Sequence, residues 1–191
     1  MSFYYYVTLY SWHPSFFTLG SLLLMAESIL VLSENNVLAF FGLNHQRLVT
    51  LHWILQIGSA VAITIGFASI SVYKCQHDQT HFDTWHSITG LISVILFIFA
   101  CLGGVVALYT ATFKKLIKPA HVKLAHIIVG ILTFVIGIIS EIFGIYTRWF
   151  LYYCNETVQL VCTLLIVLAT VLALQSSLVN AYHRIKRLCH N

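Results

Sequence analysis

The chain has 191 residues, of which 59% are hydrophobic and only 8% are charged, and its formal net charge is +4. Soluble domains carry about 25% charged residues, and so short a chain cannot bury this much apolar surface, whereas a bilayer accepts it on every face. The composition therefore excludes a soluble protein. It predicts one compact helical membrane domain over residues 1–191, with the lipid bilayer as its main partner and no nucleic acid.

Five apolar stretches follow one another along the chain, each about 20 residues long, the length that crosses ~30 Å of hydrocarbon at ~1.5 Å per residue. Membrane-spanning strands would alternate with period two, and these leucine-, isoleucine-, valine- and phenylalanine-rich blocks do not. We therefore predict an all-α integral membrane protein with five transmembrane helices. The stretches are Trp12 to Leu32, Leu51 to Tyr73, Trp85 to Ala107, Leu124 to Tyr146 and Val158 to Asn180.

Basic residues are concentrated on one side of the predicted protein. With five alternating spans, the loop at 33–50, the loop at 108–123 and the C-terminal tail share that side, and the positive-inside rule makes it cytoplasmic, with the N-terminus outside. Eight basic residues lie there, Arg47, Lys114, Lys115, Lys118, Lys123, Arg184, Lys186 and Arg187, against Lys74 and Arg148 opposite.

Three features fall on the predicted non-cytoplasmic side. The Asn155–Thr157 segment is a glycosylation sequon. Cys75 and Cys154 could pair there in an oxidising compartment.

Four histidines, His13, His52, His86 and His126, stand at the N-terminal edges of the first four stretches. Because successive spans run in opposite directions, His13 and His86 meet on one side and His52 and His126 on the other. A histidine inside a membrane segment usually faces a partner, a ligand or a cavity. Two stacked imidazole pairs are what two six-coordinate haems require, and bis-imidazole ligation favours electron transfer over oxygen chemistry. We predict a four-helix haem-binding bundle with the fifth helix peripheral.

Small residues favour haem over a bare metal ion. Positions 4, 7, 11, 14 and 18 after a residue return close to its own helix face, and small side chains there leave room for a flat macrocycle. The alternative is that they permit close helix packing. They are Gly20 after His13; Ser59 and Gly66 after His52; Gly90, Ser93 and Gly104 after His86; and Gly130, Gly137 and Gly144 after His126.

Other titratable residues have competing interpretations. His121 precedes His126 by five residues, about 140° round the helix, so we expect it to point away from the ligand face, and it is the main competitor as fourth ligand. Two histidines in the loop Lys74 to His81 could present a metal ion or simply be solvated. Glu27 and Glu141 lie within spans, where an acid is protonated, faces a cavity or makes a structural hydrogen bond.

The residues around the four histidines resemble the cytochrome b561 family, specifically its small single-domain members, which are ascorbate-dependent transmembrane reductases. The resemblance covers nearly everything from Trp12 to Arg187. It rests on Trp12-His13-Pro14, His52-Trp53-Ile54-Leu55-Gln56, Trp85-His86 followed by Gly90, Lys123-Leu124-Ala125-His126 followed by Gly130, and Asn180-Ala181-Tyr182 before a basic stretch.

The resemblance implies two haem b groups, a non-cytoplasmic one between His13 and His86 and a cytoplasmic one between His52 and His126. It implies electron transfer from cytoplasmic ascorbate to monodehydroascorbate or ferric iron (Fe3+) across the membrane, with no catalytic residues beyond the haem ligands. It further implies a multi-pass protein of endomembrane vesicles, the endoplasmic reticulum or the plasma membrane, often a homodimer.

The sequence departs from the family in two places. Members typically have six spans, and the non-ligating first one is missing from the five here. Classical members also carry ascorbate-binding lysines before the second ligand, where this chain offers Arg47. With Lys123 it is our candidate for binding an anionic donor, the alternative being ordinary positive-inside charge.

Two other functions are open. A metal-ion transporter or channel would use the intramembrane histidines as transient ligands, but it needs a continuous polar path. A scaffold subunit would use them only structurally.

Overall fold

The computed structural model describes residues 9–33, 42–113 and 118–190. These residues form helices and no strand, and five of the helices are long and apolar enough to cross a membrane. The prediction of an all-α, multi-pass integral membrane protein is therefore confirmed. The spans are Leu9–Val31, His45–Gln76, Trp85–Leu108, Pro119–Ile145 and Glu156–Cys189, with short helices at Thr110–Phe113 and Arg148–Tyr153. Lys114 and Lys115, two of the predicted cytoplasmic lysines, lie outside the described residues.

Capping side chains decide where the helices begin. The second span starts earlier than its apolar stretch because the Asn44 Oδ1 accepts the backbone N–H of Arg47 at 2.9 Å. The fifth starts after Asn155, whose Oδ1 accepts the N–H of Val158 at 2.9 Å, and Thr84 forms a capping box before the third. Such caps satisfy N–H groups that the first turn leaves unpaired. Hydropathy detects only the part of each helix that crosses the bilayer.

The first span is not a uniform α-helix. An α-helical segment, Leu9–Phe17, leads into a π-helical segment, Thr18–Met25, and a last α-helical turn, Ala26–Val31. Gly20 in the π-helical segment is buried, and a Cβ added there would lie 2.9 Å from Ile63. Only glycine therefore allows this close approach of the first and second spans.

The spans pack as two helix pairs with a fifth helix at the edge. The first span packs along the second and the third along the fourth, while the fifth touches the fourth and the end of the first. Many apolar side chains of the fifth span remain exposed, as expected of a lipid-facing surface. One buried apolar cluster joins all five spans: Met25, Ala26, Ile63, Phe97, Phe134, Ile138, Ala173 and Leu174.

Candidate functional site

Two pairs of imidazoles bridge the two helix pairs. The Nε2 atoms of His13 and His86 are 3.5 Å apart, with the ring planes at 80°. The ring centroids of His52 and His126 are 6.3 Å apart, with the planes at 90°. We call these the His13–His86 layer and the His52–His126 layer. Each layer takes one ring from each helix pair, so both lie in the space between the pairs.

Backbone carbonyls orient both rings of the His13–His86 layer. The Nδ1 of His86 lies 2.8 Å from the Ser140 carbonyl oxygen, and the Nδ1 of His13 lies 3.3 Å from that of Gly66. A carbonyl oxygen only accepts, so each Nδ1 carries the hydrogen and each neutral ring keeps a lone pair on Nε2.

The two Nε2 atoms of this layer are thus acceptors that face each other and cannot bond to each other. A metal atom between two imidazoles satisfies such a pair, because a metal–imidazole bond of about 2 Å places the nitrogens about 4 Å apart. Carbonyl acceptors on the second nitrogens are the usual outer partners of ligating histidines. The layer therefore fits a metal that His13 and His86 bind from opposite sides.

The His52–His126 layer is held differently. The Nδ1 of His52 lies 2.8 Å from the carbonyl oxygen of Ser28, whose hydroxyl accepts a 2.6 Å hydrogen bond from the Gln56 amide. Ser28 is fully buried, so this network anchors the His52 ring. The Nδ1 of His126 is buried and meets no acceptor in hydrogen-bond geometry, although the backbone of Ala100 lies near it. The His126 ring is therefore held less firmly than the His52 ring.

Glycines lie against an imidazole in each layer. A Cβ at Gly144 would lie 3.1 Å from Cε1 of His86, and a Cβ at Gly104 would lie 3.1 Å from Cε1 of His126. Each glycine belongs to the helix opposite the imidazole, because the third and fourth spans are antiparallel and the end of one faces the start of the other. The other glycines of the predicted row pack helices together or have open space beside them: Gly20, Gly66, Gly90, Gly130 and Gly137.

A cavity of about 340 Å³ opens between the third and fourth spans beside His126. Both His121 and His126 border the cavity. The two residues lie about 140° apart around the fourth span, and the cavity extends across the apolar side chains between them. It is lined by Phe99, Gly103, Val106, His121, Val122, Ala125, His126 and Val129.

Bare metal centres need more protein ligands than these layers supply. Across the described ranges, no three His, Cys, Asp or Glu side chains converge where they could hold a metal ion. Structural and catalytic zinc sites use three or four protein ligands. Two imidazoles suffice only when a cofactor supplies the remaining donor atoms, as haem does with its four pyrrole nitrogens.

Residues 12–151 match the family model described as "Eukaryotic cytochrome b561". The chain belongs to the cytochrome b561 family. Family membership implies a b-type haem cofactor, and the paired imidazoles fit one.

Curated relatives in this family carry reductase names. The chain is 30% identical over 143 residues to "Transmembrane reductase CYB561D2" of Bos taurus, covering 75% of this chain and 64% of the relative. The Homo sapiens protein of that name is 29% identical over the same shares. "Probable transmembrane reductase CYB561D1" of Mus musculus is 34% identical over 88 residues, 46% of this chain and 38% of that one. The chain thus spans less than two thirds of these relatives. No solved structure matches it.

The two predicted donor-binding residues lie at one end of this cytochrome b561, which we call the basic end. Arg47 is in the first turn of the second span, and Lys123 is one turn before His126 in the fourth. Both side chains are exposed. Within the described residues, no ion pair engages either of them. They are accessible to an anionic solute.

The two membrane acids differ sharply. Glu27 is exposed. The Glu141 Oε1 accepts a hydrogen bond from the hydroxyl of Ser21, and its Oε2 is buried without a partner. The structural hydrogen bond foreseen for these acids is present at Glu141.

Hydrogen bonds hold the loop after the second span, which lies at the end of the bundle opposite the basic end. The Thr80 hydroxyl donates to Asp83 at 2.6 Å, and Lys74 donates to the Thr80 carbonyl oxygen at 2.7 Å. The Thr80 hydrogen bond lowers the pKa of Asp83 below its ordinary 3.8, and the charge of Lys74 acts in the same direction. Cys75 and Cys154 are free thiols, so the disulfide considered from the sequence is not formed.

Sequence reasoning missed the residues that hold the rings. Ser28 and Ser140 act through their carbonyl oxygens, which no sequence pattern distinguishes from any others. Gln56 offered a signal, because a polar amide one turn after His52 in an apolar span needs a partner.

Proposed function

We propose that this member of the cytochrome b561 family transfers electrons across the membrane through two haem b groups. His13 and His86 would hold one, and His52 and His126 the other. The observation that carries the proposal is the 3.5 Å approach of two Nε2 acceptors whose Nδ1 atoms face carbonyl oxygens. When bound, each haem would supply a redox-active iron, and ligation by two imidazoles favours electron transfer over oxygen chemistry.

The chain itself orients the rings and keeps water out. The carbonyl oxygens of Ser28 and Ser140 fix the tautomers of His52 and His86 and increase the basicity of their Nε2 atoms. Between the layers lies the apolar cluster, with Phe134 almost wholly buried. An apolar interior lets electrons pass but opposes the movement of ions, so it disfavours a metal-ion transporter or channel.

We further propose that the basic end faces the cytoplasm and receives electrons from ascorbate beside the His52–His126 layer. The excess of basic residues at this end supports the orientation, and the exposed Arg47 and Lys123 suit an anionic donor. Monodehydroascorbate or ferric iron would accept the electrons beside the His13–His86 layer. The membrane would be that of an endomembrane vesicle, the endoplasmic reticulum or the plasma membrane, and the protein would form a homodimer.

Absorption spectroscopy tests the proposal. The purified chain should bind two haems, show a reduced-minus-oxidised b-type spectrum and be reduced by ascorbate. His52→Ala and His86→Ala should each lose one haem, with different spectral features lost. His121→Ala is the matched control, because this exposed imidazole borders the same cavity as His126, and it should keep both. Folded wild-type protein with less than one iron per chain after haem supplementation would refute the proposal.

A further inference from the structure

A carboxyl group lies inside the bundle where the two helix pairs meet. Glu141 of the fourth span pairs with Ser21 in the π-helical segment of the first, and its Oε2 is buried without a partner. An acid within a membrane segment is costly and usually serves ion, proton or ligand handling. Glu27 provides a contrast, because its side chain is exposed.

The Ser21 hydroxyl suits both protonation states of this acid. It has one hydrogen but two partners, the carbonyl oxygen of Phe17 at 2.9 Å and the Oε1 of Glu141. When Glu141 is a carboxylate, Ser21 donates to it. When Glu141 is an acid, it can donate to the Ser21 oxygen while the hydroxyl hydrogen turns to Phe17. Rotation of one hydroxyl therefore follows the gain or loss of a proton.

The carboxyl also lies close to the His13–His86 layer without belonging to it. Glu141 directly follows Ser140, whose carbonyl oxygen faces Nδ1 of His86 at 2.8 Å. Ser21 lies eight residues into the first span from His13, so the pair is on the interior side of this layer. The titratable groups at this end of the elements packed against the fourth span are Tyr10, His13, His86, Arg148, Tyr152, Tyr153, Glu156 and Cys162, and Lys74 lies at the same end of the second span. No described hydrogen bond or ion pair joins any of them to the carboxyl.

We propose that Glu141 is a proton-binding site that takes up one proton when one electron reaches the His13–His86 layer. The inference rests on the proposed function, whose one-electron donor supplies the electron. A haem held by His13 and His86 would accept that electron, which would remove one positive charge from the interior. The Glu141 carboxylate binds one proton from the aqueous phase and becomes neutral, and it releases that proton when the electron leaves. The net charge of the bundle interior therefore stays constant, which avoids the free-energy cost of an uncompensated buried charge.

Redox titration of the haem-loaded full chain at several pH values tests this. In wild type, the midpoint potential of the His13–His86 haem should fall by up to about 59 mV per pH unit, the slope of a one-proton, one-electron couple. Glu141→Gln keeps the shape but cannot titrate, so the slope should disappear. Glu27→Gln is the matched control and should keep the wild-type slope. Redox-difference infrared spectra should show a carboxylic-acid C=O band on reduction of wild type and Glu27→Gln, and none in Glu141→Gln.

These outcomes distinguish the proton-binding role of Glu141 from the electron-transfer function on which it rests. Two haems with pH-independent potentials, or a slope that persists in Glu141→Gln, would overturn the inference and leave the proposed function standing. A chain that binds no haem would remove both. If Glu141→Gln does not hold haem, the infrared spectra of wild type and Ser21→Ala decide. The band must appear on reduction of wild type and shift in the variant that lacks the hydroxyl, and its absence in wild type would overturn the proton site.

Discussion

Replacing Gly144 by alanine should weaken haem binding at the His13–His86 layer without unfolding the protein. The added Cβ would lie 3.1 Å from Cε1 and 3.3 Å from Nδ1 of His86. Ordinary carbon contacts lie at about 3.5–4.0 Å, so the ring must move by about half an ångström. The 2.8 Å contact between its Nδ1 and the Ser140 carbonyl oxygen opposes that movement, and a site displaced this far no longer holds its ligand geometry.

The energetic effects of Gly144→Ala act in opposite directions on folding and on the site. Overpacking costs about 1–3 kcal/mol, while alanine in a helix is more favourable than glycine by about 0.5–1 kcal/mol. Global stability should therefore fall by at most about 2.5 kcal/mol. If about 2 kcal/mol of crowding must be overcome when His86 returns to its ligating position, haem binding at this layer weakens by roughly thirtyfold, since 1.4 kcal/mol is tenfold.

The assay is a haem titration followed by site-resolved absorption spectra. Gly104→Ala should affect the other layer instead, because its Cβ would lie 3.1 Å from Cε1 of His126. Gly58→Ala is the control, because Gly58 lies outside the predicted row and a Cβ there would meet only the Leu24 side chain, at 3.4 Å, so both sites should fill normally. Equal haem binding by Gly144→Ala and Gly58→Ala would refute the assigned contact, as would a loss confined to the His52–His126 layer.

Three further substitutions test other parts of the structure. Ser28→Ala leaves the Gln56 amide without its 2.6 Å acceptor and should lower stability by about 1–3 kcal/mol in thermal unfolding in detergent; an unchanged midpoint would argue against the network. Because the pKa of Asp83 is lowered in the folded loop, its stabilisation is present above pH 3.8 and is lost as the pH falls through the folded pKa. Thr80→Ala should raise that pKa, which NMR titration of the Asp83 carboxyl would detect, and an unmoved titration would contradict it. Lys123→Ala should raise the KM for ascorbate with both haem spectra intact; an unchanged KM would remove this lysine from the donor site.

Much of the membrane architecture could be predicted from the sequence. Long apolar stretches have few alternatives to membrane-spanning helices, so the five spans followed from hydropathy alone. Alternation of direction then placed His13 on the level of His86 and His52 on the level of His126, and the structure brings those rings together. Depth along a helix depends on residue count, which a sequence states directly.

Contacts around the helix axes were decided only by the tertiary structure. Every residue has a carbonyl oxygen, so only the packed arrangement selects those of Ser28 and Ser140 as partners of ring nitrogens. The π-helical segment Thr18–Met25 turns by less than 100° per residue. A prediction that assumes 100° per residue therefore assigns residues after Phe17 to the wrong side of the first span. The depth of a residue in the membrane depends only on its position along one helix. Whether Glu141 and Ser21 face each other depends on how two helices are rotated about their axes, and only the packing of the helices sets those rotations.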